Sequence, residues 1–119
     1  MTHARPHLHH WIAGEFVAPG DAGYFDDLNP VDDSLYARAA AGTSADIERA
    51  VEMADDAFRK YRHLPAAVRE DWMVKASALI ERDAGAFADV LIEEIGSPIA
   101  KAGFETRFAA SFLRAAAGV

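Results

Sequence analysis

The sequence predicts a chain of mixed class, α+β or α/β, in which short strands come first and about four helices follow, so that most of it is helical. Three observations predict it. Residues 11 to 40 hold short apolar runs separated by Gly, Pro, Asn and Asp, the punctuation of strands and turns. From residue 43 onward, apolar residues recur at steps of three and four, the period of a helix with one buried face. Residues that start and stop helices stand at the ends of these stretches, among them Thr43, Pro65, Gly96 and Pro98.

Residues 1 to 8 are expected to be a flexible tail, and residues 9 to 119 the folded part. Trp11-Ile12-Ala13, Gly14-Glu15 and Phe16-Val17 form a tight hairpin pattern. Pro19 to Gly23 is a loop. Tyr24 to Leu28 is extended and ends at Asn29-Pro30, because a residue before proline avoids the helical region. Val31 to Ser34 turns, and Leu35 to Ala40 extends again.

Thr43 is the expected cap of the first helix, with Asp46 as its acidic partner three residues on. Ile47, Val51, Ala54, Phe58 and Tyr61 are its inward stripe. Leu64-Pro65 opens the second helix, whose stripe is Val68, Trp72, Ala76, Leu79 and Ile80. Asp83 is the expected cap of a third helix, with Phe87, Val90 and Leu91 inward. Gly96 suits a left-handed C-terminal position. Ser97-Pro98 starts the last helix, with proline where its missing donor is harmless. Phe104, Phe108 and Phe112 form an apolar ridge there, expected in the core; if they do not pack among these helices, they need a partner surface.

Composition narrows the function. The formal charge is −7, which excludes a basic nucleic-acid surface. Arg59, Lys60 and Arg62 cluster, but Asp55 and Asp56 offset them. No run of about 18 apolar residues suggests a membrane span. The first ten residues lack the apolar core of a signal peptide, so the expected compartment is the cytoplasm. The chain has no cysteine, and so no disulfide, thiolate metal site or thiol nucleophile.

Catalytic patterns are missing as well. None of Ser34, Ser44, Ser77, Ser97 and Ser111 lies in a G-x-S-x-G elbow. No phosphate-binding loop or dinucleotide fingerprint is present. Glu93 and Glu94 are adjacent on a helix and point about 100° apart, which does not suit a shared substrate. Asp26-Asp27 and Asp32-Asp33 are turn residues. His7, His9 and His10 lack a helical ligand spacing and a completing carboxylate.

Taken together, these local patterns resemble a known family. Trp11-Ile12-Ala13-Gly14-Glu15-Phe16 resembles the "I-x-G-E-W" hairpin of aldehyde dehydrogenases, and Phe25 to Pro30 their "F-x-x-x-N-P" stretch. Thr43 to Val51 is similar to their "T-x-x-D-V-x-x-A-V" helix, with Ala54, Ala57 and Phe58 continuing it. Leu64-Pro65 to Arg69 matches "L-P-x-x-x-R". Ile92 to Pro98 resembles the "E-x-G-K-P" element, with Ser97 in place of the usual lysine, and Glu105 fits the glutamate of the next helix. The "I-G-S-P" form, followed by Leu113 to Gly118, looks most like the branch that oxidises salicylaldehyde, vanillin and benzaldehyde.

The resemblance implies an α/β fold, of which residues 9 to 119 would be an incomplete N-terminal part of the cofactor-binding domain. It implies oxidation of an aldehyde to an acid with NAD or NADP. In the family a cysteine attacks the aldehyde, an amide and an asparagine stabilise the oxyanion, and a glutamate activates water. All of these lie downstream of the matched region, so no catalytic or cofactor-binding residue carries over. The chain alone is expected to be inactive and to bind no cofactor. Some members hold a structural monovalent cation with a backbone carbonyl near the "N-P" stretch and an acid before the "G-K-P" element. By position these are Asp27 or Leu28, and Glu94; oxygen ligands suit a hard cation. The expected partner is the remainder of such a fold, or a second copy. The alternatives are a non-catalytic helical interaction module, and a metal-binding histidine tail on a small bundle.

Overall fold

The computed structural model describes residues 6–118 and divides the chain into two compact units, Met1–His63 and Leu64–Val119. Short strands precede four helices, as the sequence predicts.

Among the described residues, the first unit holds five strands and one helix. They are β1 (His7–Leu8), β2 (His10–Ile12), β3 (Glu15–Val17), β4 (Tyr24–Leu28), β5 (Leu35–Ala40) and α1 (Ser44–Tyr61). β2 and β3 form the expected hairpin, with Ile12 opposite Glu15. Its two-residue turn is Ala13-Gly14, with φ of 56° and 83°. Two positive φ values give the mirror-image turn whose twist matches the strands it joins. Gly14 adopts this freely, whereas Ala13 is strained by its Cβ.

β4 and β5 pair antiparallel, with a register shift at Asp27/Leu28. Side chains build the loop between them. Asn29 Oδ1 accepts from the Val31 amide at 2.9 Å, and Asp32 Oδ1 from the Ser34 amide at 3.0 Å. These Asx contacts close the turn without a sheet ladder.

β1 corrects one expectation. Residues 1–5 of the expected tail lie outside the described residues, but His7 and Leu8 form a strand parallel to β5, opposite Arg38 and Ala39. β4 covers one edge of β5; the other edge offers backbone groups that a passing strand can satisfy. His7 also stacks on Tyr24, with ring centroids 4.7 Å apart, and His9 Nδ1 is 2.9 Å from the Tyr24 hydroxyl.

α1 opens on a reciprocal cap. Thr43 Oγ1 accepts from the Asp46 amide at 3.2 Å, and Asp46 Oδ2 accepts from the Thr43 amide at 2.8 Å. The expected inward stripe differs: Ile47, Val51 and Phe58 are exposed, and Tyr61 is half-buried. A cavity between the hairpin and α1 is lined on the helix side by Ala50, Met53, Ala54 and Ala57, and Ala54, also expected inward, is exposed there with Ala57.

The second unit contains α2 (Ala66–Arg82), α3 (Ala84–Ile95) and α4 (Ile99–Ala117). α4 packs on both α2 and α3. Its buried residues are Ala102, Thr106 and Ala110. Facing them, α2 buries Ser77 completely, and Ser77 Oγ donates to the Ala110 carbonyl at 2.7 Å. Thr106 Oγ1 donates to Ala102 O at 2.9 Å, so no hydroxyl in this seam lacks an acceptor. At the solvent edge, Arg114 pairs with Glu81 at 2.9 Å.

Three expectations change here. On α2, Ala76 and Ile80 are half-buried as expected, but Val68, Trp72 and Leu79 are exposed. On α3, Leu91 is half-buried while Phe87 and Val90 are exposed. On α4, Phe104, Phe108 and Phe112 point out of the unit. The packed sides are the small-residue sides, and Ser77 is the largest side chain that is fully buried among the described residues.

The helix ends follow the sequence except at Asp83. Gly96 ends α3 in the left-handed region, φ 64°. Pro98 precedes α4. Asp83 stands at the N-cap position of α3 as expected, but its carboxylate makes no capping bond and is held by the Arg82 guanidinium through bonds of 2.9 and 2.7 Å. A two-point ion pair with an adjacent arginine outcompetes a single contact to a helix amide.

Candidate functional site

Acid–base chemistry has few players among the described residues. The Thr43 hydroxyl and amide hold the Asp46 carboxyl below its usual range, and Arg82 does the same for Asp83. Both shifts stabilise the carboxylate, the wrong direction for a general acid at neutral pH. Both groups are also committed to a cap or an ion pair. Ser77 and Ser111 donate to backbone carbonyls, to Ala110 and Arg107. Neither is hydrogen-bonded to a base that would activate it.

A dinucleotide needs free amides at a helix start, reached through a glycine-rich turn. The strand-to-helix junction from β5 to α1 has one glycine, Gly42. Its helix start is already closed by Thr43 and Asp46, and a carboxylate there repels a pyrophosphate. This junction does not fit NAD or NADP. α2 and α4 begin behind Pro65 and Pro98, with no glycine turn.

The two candidate cation residues fall in different units. Leu28 ends β4, next to the register shift. Glu94 lies in the last turn of α3 and is exposed. Among the described residues, no three His, Cys, Asp or Glu side chains are grouped to hold a metal ion. His7 and His9 converge on Tyr24.

The prominent features are uncovered apolar surfaces. In the second unit, Phe104 stacks on Phe108 with ring centroids 5.7 Å apart, and Phe108 lies 6.3 Å from Phe112. Beside this row, Ile80, Phe87, Val90, Leu91, Thr106 and Ala109 line a groove of about 260 Å³. Glu105 stands at the groove, its charge met by Lys101 at 2.9 Å. In the first unit, Trp11 meets Phe16 edge-on at 4.7 Å on an exposed hairpin face. Exposed apolar patches of this kind mark contacts with protein, membrane or ligand. Periodicity found Phe87, Val90, Phe104, Phe108 and Phe112 but assigned them to the interior. The packed row that it missed, Ala102-Thr106-Ala110, carries its own signal in the four-residue spacing of small residues.

The chain was compared with known proteins. The model of the Aldehyde dehydrogenase family matches residues 16–119. The vanillin dehydrogenase of Corynebacterium glutamicum is 31% identical over 108 residues, 91% of this chain and 22% of that protein. The NADP(+)-dependent D-glyceraldehyde dehydrogenase of Thermoplasma acidophilum is 29% identical over 92 residues, 77% of this chain and 19% of its own length. Among solved structures, an NAD-dependent benzaldehyde dehydrogenase from C. glutamicum superimposes with a TM-score of 0.89 at 30% identity, covering 93% of this chain and 24% of its own. The lactaldehyde dehydrogenase of Escherichia coli gives 0.91 at 29% identity, with 97% and 24% covered. The chain thus spans about a fifth of the length of the curated relatives it matches.

Proposed function

Since the chain belongs to the aldehyde dehydrogenase family, we propose that it supplies the N-terminal scaffold of an enzyme that oxidises an aldehyde to a carboxylic acid with NAD or NADP. The observation that carries this reading is the match over residues 16–119. The work of the chain's own residues in it is structural. They build a sheet, a hairpin and a small-residue helix seam, and leave apolar faces for the rest of the fold. The aldehyde, hydride and water chemistry belongs to residues outside this chain, which has no cysteine.

Similarity to vanillin and benzaldehyde dehydrogenases supports an aromatic aldehyde as substrate. The cytoplasm is the compartment in this reading; no helix among the described residues is long and apolar enough to cross a membrane. The Leu28 carbonyl and the Glu94 carboxylate are proposed as ligands of a structural monovalent cation.

A chimera tests the proposal. Residues 16–119 replace the matched segment of the C. glutamicum vanillin dehydrogenase, and cofactor reduction with vanillin is followed. A folded chimera with turnover is expected. A chimera that folds without turnover, or does not fold, overturns the reading. Thermal melts of the same chimera in sodium and in tetramethylammonium chloride, with and without Glu94→Gln, test the cation. Sodium stabilisation that Glu94→Gln abolishes is expected, and equal melts rule the site out.

A further inference from the structure

Helix α1 carries an opposite-charge pair that does not close. Side chains four residues apart on a helix are neighbours, with Cβ atoms about 5–6 Å apart. Four such pairs of opposite charge stand on the helices: Asp55–Arg59, Asp56–Lys60, Asp71–Lys75 and Lys101–Glu105. Three of them are ion pairs, at 2.7, 2.6 and 2.9 Å. Among the described residues, no ion pair joins Asp56 to Lys60. Both instead line the cavity between α1 and the hairpin.

That cavity has a volume of about 560 Å³. Apart from the two charged side chains, its lining is apolar. The hairpin supplies the buried Ile12 and the Trp11 indole, which is 63% exposed. The helix supplies Met53, Ala54 and Ala57. Alanine at 54 and 57 leaves open the space that a larger side chain would take. Small-molecule sites are concave and mostly apolar, roughly 300–1,000 Å³ in volume, with a few polar groups that fix orientation. The cavity has that size and that make-up.

We propose that it binds a free α-amino acid with an apolar side chain, aromatic or branched. The ligand's ammonium pairs with the Asp56 carboxylate and its carboxylate with the Lys60 ammonium. Its side chain lies against Trp11 and Met53. Charge decides the class. A ligand with one charge answers one of the two groups and leaves the other unmatched. An apolar side chain inserted by another protein answers neither, because its own backbone is neutral. An amino acid carries both charges on one carbon, a spacing that fits between side chains one helical turn apart. Every residue of this site belongs to the first unit, and the proposal is independent of the aldehyde chemistry above.

Tryptophan fluorescence tests it. The chain has two tryptophans, Trp11 and Trp72, so Trp72→Phe leaves Trp11 as the reporter. In that background the 119-residue chain is titrated with L-phenylalanine. A saturable blue shift of Trp11 emission is expected as the ligand's ring displaces water from the indole. Asp56→Asn and Lys60→Gln are each expected to weaken binding about tenfold, the worth of one charged hydrogen bond. Phenethylamine and hydrocinnamate, which each lack one of the two charges, should lose a similar factor. Ala54→Leu fills the cavity and is expected to abolish the shift while the helical circular dichroism persists. Absence of a saturable shift overturns the proposal. Equal affinity for phenylalanine, phenethylamine and hydrocinnamate overturns it in favour of apolar contact alone. Binding that is unchanged in both charge variants places the ligand elsewhere and also overturns it. If Ala54→Leu does not fold, the two charge variants, at exposed helix positions, decide the matter.

Discussion

Ser77 Oγ, fully buried on α2, donates a 2.7 Å hydrogen bond to the carbonyl of Ala110 on α4. It is the polar centre of a seam otherwise made of alanine and threonine, and it sets how closely the two helices approach. Ser77→Ala removes the bond but adds no bulk; the expected loss is about 1 kcal/mol in urea melts. Ser77→Leu forces the helices apart and is expected to cost more, about 1–3 kcal/mol. A leucine variant as stable as the wild type would mean that the seam is not closely packed.

Two backbone positions should respond in opposite directions. Ala13 sits at φ 56° in the hairpin turn, where a Cβ is unfavourable, so Ala13→Gly is expected to stabilise by about 1 kcal/mol. Gly96 sits at φ 64° at the end of α3, and Gly96→Ala is expected to destabilise by a similar amount. Denaturant midpoints of the two variants check both signs together.

The cap of α1 predicts a pH dependence. Thr43 holds the Asp46 carboxyl below its usual range in the folded chain. The resulting stabilisation is complete above the unfolded aspartate value, about 3.9, and is lost as pH falls through the lower folded value. Thermal melts across that acid range should show this loss in the wild type. Asp46→Asn should flatten that component, and Thr43→Ala should cost about 1 kcal/mol at neutral pH. An unchanged acid profile in Asp46→Asn would remove Asp46 as the source.

The isolated chain is expected to show no aldehyde-dependent reduction of NAD or NADP, measured by absorbance with vanillin, benzaldehyde and lactaldehyde. Turnover by the purified chain would contradict a scaffold role.

Local signals were legible in the sequence, and burial was not. Thr43, Gly96 and Pro98 mark helix ends because each acts on neighbouring backbone. Tyr24–Leu28 and Leu35–Ala40 are strands where the alternation and turn residues place them. β1 was hidden because His7-Leu8 is too short to carry a pattern and depends on an edge about 31 residues away, at Arg38 and Ala39. The burial error on α4 has a physical cause. Its sequence holds two apolar rows at the same spacing, one small and one large, and periodicity ranks the large row first. Close approach of α2 requires the small one. The family resemblance was legible for a different reason, namely the order and spacing of many weak elements. The candidate cation pair drew only on that resemblance; its two residues belong to separate units.

The Ser77–Ala110 bond also has a consequence in time. It spans 33 residues, and both of its partners lie in the unit that runs from Leu64 onward. Helical bundles of this kind fold within microseconds to milliseconds. The seam can therefore close on the timescale of helical folding, with no contribution needed from the strands of the first unit.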